Sequence, residues 1–197
     1  MTPLADKIVA IERSLTAARL PHAFGGALAL AFHVEEPRGT RDIDVNLFCP
    51  EAEVASAFAA LPPEVRWDAA DLERVAASGQ VRLFWDDTPV DVFFSTHRFH
   101  DHAASGVVWV PFLDGTIPVL DATTLAVFKA FFDRTKDWAD IEAMVEAGAL
   151  DGHDALGWLV DLLGGDDPRV ERLRRTIDRS SVGRGAPSDP RFDPQAP

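Results

Sequence analysis

The sequence predicts an α+β protein: a mixed β-sheet with flanking helices, followed by a C-terminal helical bundle. Alternating or β-branched segments are confined to residues 42–120, turn signals there join them into hairpins, and only helical periodicity follows Asp121. We therefore divide the chain into a core (residues 1–120), a helical C-terminal part (residues 121–182) and a tail (residues 183–197). The tail is rich in glycine, proline and aspartate, and we expect it to be disordered.

Composition narrows the classes of function that the chain can have. The 197 residues are 47% hydrophobic, enough for a sizeable core, and the net charge of −13 opposes a sequence-independent grip on nucleic acid. The lone cysteine, Cys49, excludes an internal disulfide, suits a reducing compartment and is interpreted as a core filler. Charged residues interrupt the first twenty positions, so we expect no signal peptide, no membrane contact and a cytoplasmic protein.

The N-terminal third alternates between helices and strands. Apolar residues at helical spacing predict a first helix over residues 3–19, and a glycine turn at Gly25 and Gly26 then opens a buried helix over residues 27–34. Residues 35–40 are polar and form a loop. Strict alternation predicts a strand over residues 42–48 with one face buried.

The middle of the chain carries two hairpin signals. A helix over residues 51–61, a short strand at 65–67 and a helical turn or two at 71–77 come first. The two hairpins join residues 80–85 to 90–95 and residues 107–112 to 116–120, the second through Asp114 and Gly115. Beyond Asp121 or Thr123, either of which can cap a helix, helical patterns cover residues up to 129, then 136–147, 154–163 and 168–179.

Three aspartates lie in strand-like surroundings. Asp42 and Asp44 are two residues apart on one strand, so both side chains emerge on the same face. Carboxylates this close repel each other, and a bound cation relieves the repulsion; oxygen ligands suit magnesium or manganese. If the strand of Asp91 lies beside the first, three carboxylates could hold two metal ions about 3.5–4 Å apart. The alternative is that these are ordinary aspartates at a strand edge. The Asp-x-Asp pair alone would favour that alternative, whereas Asp91, in the same apolar surroundings, favours a functional site.

Two further groups could bind the phosphates of a nucleotide. Gly25 and Gly26, ahead of a helix, can present backbone N–H groups with no Cβ in the way. Lys129 stands among apolar residues and needs an anionic partner, which favours an inward-facing phosphate ligand. If residues 125–145 form one continuous helix, Lys129, Asp133, Lys136 and Asp140 share a stripe, which is either functional or a solvated face with ion pairs.

Two clusters are ambiguous. Six arginines near the C-terminus form either a solvated helix face, which is favoured, or a phosphate-binding surface: Arg169, Arg172, Arg174, Arg175, Arg179 and Arg184. The histidines His97, His100 and His102 fit no zinc spacing and are interpreted as a solvated helix turn. His22, just before the glycine turn, could approach a phosphate.

These motifs, in this order, resemble a known superfamily. The segment Phe24-Gly25-Gly26-Ala27, then Arg41-Asp42-Ile43-Asp44-Val45, then Val90-Asp91-Val92 is similar to the DNA polymerase β nucleotidyltransferase superfamily. The run from Phe128 to Asp140 is similar to the lysine motif and the Lys-Asp-x-x-Asp motif of its AbiEii-like branch, which includes MenT-type toxins. The turn is Gly-Gly where catalytic relatives often have Gly-Ser, and fifteen residues separate Gly26 from Asp42.

The resemblance implies a minimal nucleotidyltransferase core and assigns a role to each motif. Gly25 and Gly26 would cradle the triphosphate of an NTP, while Asp42, Asp44 and Asp91 would be catalytic and bind Mg²⁺ or Mn²⁺. Lys129 would also be catalytic, through contact with the nucleotide phosphates. Nucleotide binding would involve the residues of the two later motifs: Lys129, Lys136, Asp137 and Asp140.

Three functions compete at this stage. The leading hypothesis is transfer of a nucleotide from an NTP to an acceptor hydroxyl with release of pyrophosphate. By resemblance to the toxin branch, the acceptor would be the tRNA 3′ end, received by the helices after Asp121 and the arginine cluster, and the partner a cognate antitoxin. The alternatives are nucleotidylation of a protein or of a small molecule such as an aminoglycoside, which the acidic charge would attract, and a non-catalytic nucleotide- or partner-binding module.

Overall fold

The structure, a computed structural model, describes the backbone of residues 2–183 and the side chains of residues 2–50 and 52–179. It contains a seven-stranded mixed sheet with helices packed around it, which confirms the predicted α+β class. Most of the predicted tail, residues 184–197, lies outside the described residues, whereas Gly183 is still the last residue of a helix.

The elements follow in chain order. The helices are α1 (Leu4–Ala17), α2 (Gly26–Leu30), α3 (Val54–Ala59), α4 (Ala69–Ser78), α5 (Phe99–Ser105), α6 (Ala122–Phe132), α7 (Thr135–Glu146), α8 (Gly152–Leu163) and α9 (Pro168–Gly183). The strands are β1 (His22–Phe24), β2 (Ile43–Pro50), β3 (Val65–Arg66), β4 (Gln80–Trp85), β5 (Thr88–Ser95), β6 (Val108–Phe112) and β7 (Gly115–Val119). A 3₁₀ turn, Glu51–Glu53, precedes α3.

The strand order is β3-β4-β5-β2-β1-β7-β6, so the strand that carries Asp44 lies near the centre of the sheet. β2 pairs in parallel with β5 and antiparallel with β1. Both predicted hairpins, β4–β5 and β6–β7, are confirmed as antiparallel pairs. The parallel pair has apolar residues on its inward face, Ile43 and Val45 against Val90 and Val92, and all four are fully buried.

Local signals in the sequence account for several element boundaries. α1 buries Ile8, Ile11 and Leu15, spaced at helical intervals along one face. Asp121 caps α6 as expected, because its carboxylate accepts a hydrogen bond from the Thr124 N–H at 3.0 Å. α4 begins with a capping box in which Asp68 and Asp71 satisfy each other's backbone N–H groups.

Two expectations about the elements are wrong. Residues 22–24 form β1, a fully buried central strand of only three residues, where no strand was expected. α2 ends at Leu30 instead of continuing to residue 34. The expected break between the helical patterns that end at residue 129 and begin at residue 136 is present, because Asp133 adopts a left-handed conformation (φ 56°) and ends α6; the single helix over residues 125–145 that the shared stripe would need does not form.

The helices after Asp121 pack on the core and on each other, and the arginine cluster takes part in this packing. Arg172 lies over the ring of Trp138 at 4.3 Å, and Arg169 donates a hydrogen bond to the Phe131 carbonyl at 2.8 Å. Arg174 and Arg175 both pair with Glu171 within α9, whereas Arg184 lies outside the described residues. These four arginines therefore all make intramolecular contacts.

His100, His102 and Cys49 lie in packed surroundings. His100 is buried and His102 packs against Trp158 at 4.7 Å, so the expected solvated helix turn is instead the contact between α5 and α8. Cys49 is buried in β2, and burial raises the pKa of its thiol to about 11, which fits a core filler. None of the helices in the described part of the chain is long and apolar enough to cross a membrane.

His22 gives the fold a dependence on pH. Its ring lies in β1, Nδ1 is 2.9 Å from the Leu20 carbonyl, and the buried Nε2 has no hydrogen-bond partner among the described residues. Burial lowers the pKa of His22 below its usual value of 6.5, against the opposing effects of the Leu20 hydrogen bond and of Glu12. The unfolded chain therefore binds a proton at His22 more readily than the folded protein does. The free energy of unfolding consequently decreases as the pH falls below about 6.5 toward the lowered pKa of the folded state.

We predict that His22→Asn flattens the loss of unfolding free energy between about pH 7 and pH 5, because asparagine can keep the bond to Leu20 and does not titrate. Denaturant melts at each pH measure the effect. His153→Asn, at an exposed position, is the control and should leave the slope unchanged. An equal slope in His22→Asn and the wild type would contradict the prediction.

Candidate active site

The register of β2 against β5 brings two of the predicted aspartates side by side. Asp44 pairs with Asp91 across the parallel strands, and alternation puts both side chains on the face opposite the buried valines. Asp42 precedes the first residue of β2, and its side chain is 38% exposed against 18% for Asp91. The three carboxylates thus share one end of the sheet.

Arg82, on β4, lies between two of these acids. Its guanidinium donates to both carboxylate oxygens of Asp91, each at 2.7 Å, and lies 4.0 Å from the Asp42 carboxylate. The β4–β5 hairpin sets this contact because Arg82 is the cross-strand partner of Asp91. Arg82 therefore balances negative charge that a metal ion was expected to neutralise.

The carboxyl group of Asp44 has a strongly raised pKa. Burial, followed by the negative charge of Asp91, raises the pKa of its carboxyl to about 6, against the opposing effect of Lys129. Asp42 adds a smaller effect in the same direction as Asp91. A cation beside Asp44 would favour its ionised form.

The glycine turn packs directly on Asp44. Gly26 has φ +57°, and a Cβ at this position would overlap the Asp44 carboxylate, so both the conformation and the close approach require glycine. The Gly25 N–H donates to the backbone carbonyl of Asp44 at 2.9 Å and is not available to a phosphate. Gly25 thus connects the turn to β2 through a backbone hydrogen bond. The helix that follows the turn, α2, has only five residues.

Lys129 is buried and has found its anionic partner within the chain. Its Nζ lies 2.6 Å from Asp140 and 3.9 Å from Asp137, both on α7. Arg38, in the loop before β2, also donates to both oxygens of Asp140, each at 2.9 Å from its nearest nitrogen. Although burial alone would raise it, these two hydrogen-bonding cations hold the pKa of Asp140 below its usual value.

The other predicted nucleotide-binding residues of α7 are placed differently. Asp137 is fully buried and accepts from the Arg134 side chain at 2.6 Å and from its backbone N–H at 3.3 Å, which caps α7. Lys136 is exposed on the first turn of α7 and does not line the cavities described below. Asp137 and Asp140 therefore position Arg134, Lys129 and Arg38.

A cavity of about 420 Å³, the site cavity, opens over the paired aspartates. Its charged lining residues are Asp44, Asp91, Arg74, Arg82 and Arg134. A much smaller cleft of about 40 Å³ adjoins it, lined among others by Gly25, Gly26, Asp44 and Lys129. Two carboxylates and three half-exposed arginines in one cavity suit a polyphosphate accompanied by a cation.

The carboxylate oxygens of the site suit the expected Mg²⁺ or Mn²⁺, provided that Arg82 releases Asp91. Asp44, Asp91 and Asp42 offer the carboxylate oxygens that Mg²⁺ and Mn²⁺ prefer, and one or two carboxylates suffice when phosphates and water complete the coordination. Within the described part of the chain, however, no three acidic, histidine or cysteine side chains are grouped closely enough to hold a metal. The Arg82 guanidinium on Asp91 would compete with a cation for the same oxygens.

Sequence reasoning missed Arg82 and Arg74. The predicted hairpin joined residues 80–85 to 90–95 through a four-residue connection, whereas the structure has a two-residue turn at Asp86 and Asp87. β5 therefore begins at Thr88, and Arg82 pairs with Asp91. Arg74 comes from α4, and nothing in the sequence indicates that this helix faces the site. His22 lines neither the site cavity nor the smaller cleft.

We predict that Gly26→Ala lowers the unfolding free energy by more than about 2 kcal/mol, because a left-handed alanine costs about 1–2 kcal/mol and the Asp44 carboxylate must also move. Gly157→Ala is the matched control, because a Cβ added at this position of α8 meets open space. This substitution should raise the free energy of unfolding by about 0.5–1 kcal/mol. Denaturant unfolding measures both variants. A Gly26→Ala protein as stable as the wild type would contradict the packing described.

We also predict that Arg82→Gln binds Mn²⁺ roughly several-fold more tightly than the wild type, because the competing guanidinium is gone. Calorimetric titration of Mn²⁺ into the nucleotide-free protein measures this. Arg74→Gln is the control: it lines the same cavity but pairs with Asp71. Unchanged or weaker Mn²⁺ binding by Arg82→Gln would show that Arg82 does not compete with metal.

Comparisons with known proteins bear on the fold. No family model matches the sequence, and no curated protein matches it. The antigenic nucleotidyltransferase-like protein from Paracoccidioides brasiliensis superposes with a TM-score of 0.53 at 10% identity, over 91% of this chain and 89% of that chain. The antibiotic-resistance factor ANT(2'')-Ia gives a TM-score of 0.46 at 14% identity, over 91% of this chain and 93% of that chain.

JHP933 from Helicobacter pylori gives a TM-score of 0.43 at 14% identity, over 93% of this chain and 97% of that chain. At such identities a likeness speaks for the fold and not for the activity. The placement in the AbiEii-like branch stays a prediction. The chain therefore has the fold of a nucleotidyltransferase-like protein.

Proposed function

We propose that this chain is a Mg²⁺-dependent nucleotidyltransferase that moves a nucleotide from an NTP to an acceptor hydroxyl. The observation that carries the proposal is the parallel register that sets Asp44 level with Asp91 beneath a cavity lined by three arginines. The shared fold with a nucleotidyltransferase-like protein supports it. The intact acids speak against a non-catalytic binding module.

The reaction asks the protein for positioning and charge neutralisation. The acceptor oxygen attacks the α-phosphorus, the bond from that phosphorus to the bridging oxygen breaks, and pyrophosphate leaves. Arg134, beside Asp44, and Arg74, across the cavity, are placed to contact the phosphates, and Asp91 is placed to accept the proton of the acceptor hydroxyl. Asp44, Asp91 and Asp42 would hold the divalent ion, which when bound lowers the pKa of the acceptor hydroxyl and offsets phosphate charge.

Several predicted residues take supporting roles in this proposal. Asp140 holds Lys129 and Arg38 beside the smaller cleft, and Asp137 holds Arg134 at the site cavity. Gly26 lets the turn pack on Asp44. Lys129 keeps its proposed role toward phosphate, in competition with Asp140, and Lys136 would need the bound nucleotide to extend to the start of α7.

For the acceptor we propose the 3′ end of tRNA, with growth arrest as the consequence and a cognate antitoxin as the partner. This finer proposal rests on the resemblance of the run from Phe128 to Asp140 to the AbiEii/MenT-like branch. A cationic small molecule such as an aminoglycoside is the competing acceptor, favoured by the net charge of −13. An acceptor side chain on a protein would leave the same catalytic residues in place.

We predict that wild-type protein with Mg²⁺ transfers label from an α-labelled NTP to total tRNA, and that Asp44→Asn and Asp91→Asn each reduce the rate by about 100-fold or more. Chelation of the metal should abolish transfer. Protein extract and an aminoglycoside are tested in parallel, and Asp114→Asn, at an exposed hairpin turn, is the control that should keep full activity.

Label on protein or on the aminoglycoside alone would reassign the acceptor. No labelling of any acceptor, with NTP binding intact, would contradict the proposed activity and favour the binding module.

A further inference from the structure

A second pocket adjoins the site cavity, and its walls are made mainly of phenylalanine. We name it the aromatic pocket; its aromatic lining residues from β5, α5 and α6 are Phe93, Phe94, Phe99, Phe128, Phe131 and Phe132. Its volume of about 350 Å³ lies in the range of roughly 300–1,000 Å³ that is typical of small-molecule sites. Most of these rings pack against one another, but Phe131 is 40% exposed. The pocket is therefore large enough and open enough to admit a ligand.

The polar lining of the aromatic pocket consists of hydroxyl, amide and imidazole groups. Ser78, Gln80 and Thr96 supply hydroxyl and amide groups, and His97 and His100 supply rings. Among the described residues that line it there is no carboxylate, lysine or arginine. A polycationic ligand would find no counter-charge here, whereas a planar, uncharged ring could stack on phenylalanine and use its edge for hydrogen bonds to neutral groups.

The aromatic pocket is continuous with the acidic site. The two cavities share Ser78, Gln80, Phe93 and Phe132 as lining residues. Phe93 follows Asp91 by two positions on β5, so both side chains lie on the same face of the sheet. The ring of Phe93 lies 5.8 Å from that of Phe132, centroid to centroid. A molecule with its reacting group at Asp91 could therefore reach the aromatic pocket past this pair of rings.

The aromatic pocket adjoins both of the other cavities, but only the site cavity shares polar side chains with it. Phe93, Phe128 and Phe132 line both the aromatic pocket and the smaller cleft, whereas Gly25, Gly26 and Lys129 line the cleft and not the pocket. Ser78, at the end of α4, and Gln80, at the start of β4, line both the aromatic pocket and the site cavity, which Asp91 also lines. In the proposed mechanism, Asp91 takes the proton of the acceptor hydroxyl, so the ring nearest to it belongs to the acceptor.

We propose that the aromatic pocket holds the terminal nucleobase of a nucleic-acid acceptor, and thereby selects an acceptor with a planar ring over an amino sugar. The proposal rests on the proposed nucleotidyl transfer and adds the part of the molecule that recognises the acceptor. Phe131 is 40% exposed, with the Arg169 guanidinium 5.7 Å from the centre of its ring. It lines the aromatic pocket and neither of the other two cavities, which makes it the position to test.

Equilibrium binding tests the proposal without any need for turnover. The probes are a short single-stranded oligoribonucleotide with a free 3′ hydroxyl and the same oligomer with an abasic 3′ residue. Because stacking of one base on an aromatic side chain is worth about 1–3 kcal/mol, we expect the wild type to prefer the intact oligomer roughly 5- to 150-fold. Phe131→Ala should reduce this preference to near one.

Two further variants guard against a trivial loss of fold. Phe131→Leu keeps an apolar side chain without a ring face and should also lose most of the preference, while thermal melts verify that it is folded. Trp109→Ala removes a 57% exposed ring from β6, at the opposite edge of the sheet, and should leave the preference unchanged.

Three results would overturn the proposal: no preference of the wild type for the intact oligomer, no measurable binding of it, or Phe131→Ala weakening a non-hydrolysable NTP while leaving the oligomer preference intact. A fourth contradicting result would be an aminoglycoside that displaces the oligomer from the wild type and binds Phe131→Ala less tightly. The labelling experiment with Asp44→Asn fails or succeeds independently of these measurements, so failure of the pocket and failure of the activity are distinguishable.

Discussion

Two carboxylates held level on neighbouring parallel strands are the constraint on which the rest of the site depends. Asp44 and Asp91 cannot move apart without breaking the central β2–β5 pairing, and their repulsion must be offset from outside the pair. Arg82 does this on one side through the hairpin, and Lys129 and Arg134 do it on the other. Positive side chains therefore lie beside the acids even though the whole chain is strongly acidic.

The cations on the second side are themselves fixed by a buried network. Asp140 joins Lys129 of α6 to Arg38 of the loop before β2, and Asp137 joins α7 to Arg134. Burying such groups is expensive, and ion pairs of this kind add little net stability compared with apolar packing. Their consequence here is geometric, because they set α6, α7 and the loop at fixed positions around the Asp44 carboxylate.

The sequence predicted correctly those features that depend on the pattern within a single strand or hairpin. Alternation identified β2, turn residues identified both hairpins, and the two-residue spacing of Asp42 and Asp44 placed them on one face. Of the site itself, the three acids were proposed from sequence, and the register then placed Asp44 beside Asp91.

The failures come from contacts between elements. A single stripe of Lys129, Asp133, Lys136 and Asp140 would need one continuous helix, whereas Asp133 ends α6 in a left-handed conformation and accepts a hydrogen bond from the Trp138 indole at 2.6 Å. β1 is too short to show alternation and is buried on all sides. The aromatic pocket exists only because β5, α5, α6 and α8 converge, and no local pattern of phenylalanines predicts that convergence.

The central claim is that the level pair of aspartates binds a divalent ion against a nucleotide. Crystals of the full chain grown with Mn²⁺ and a non-hydrolysable NTP would test it through the anomalous scattering of manganese. The account predicts an anomalous peak in contact with both Asp44 and Asp91, with Arg82 withdrawn from the Asp91 carboxylate and the triphosphate in the site cavity. A bound nucleotide without manganese at these aspartates, or manganese held elsewhere on the chain, would contradict it.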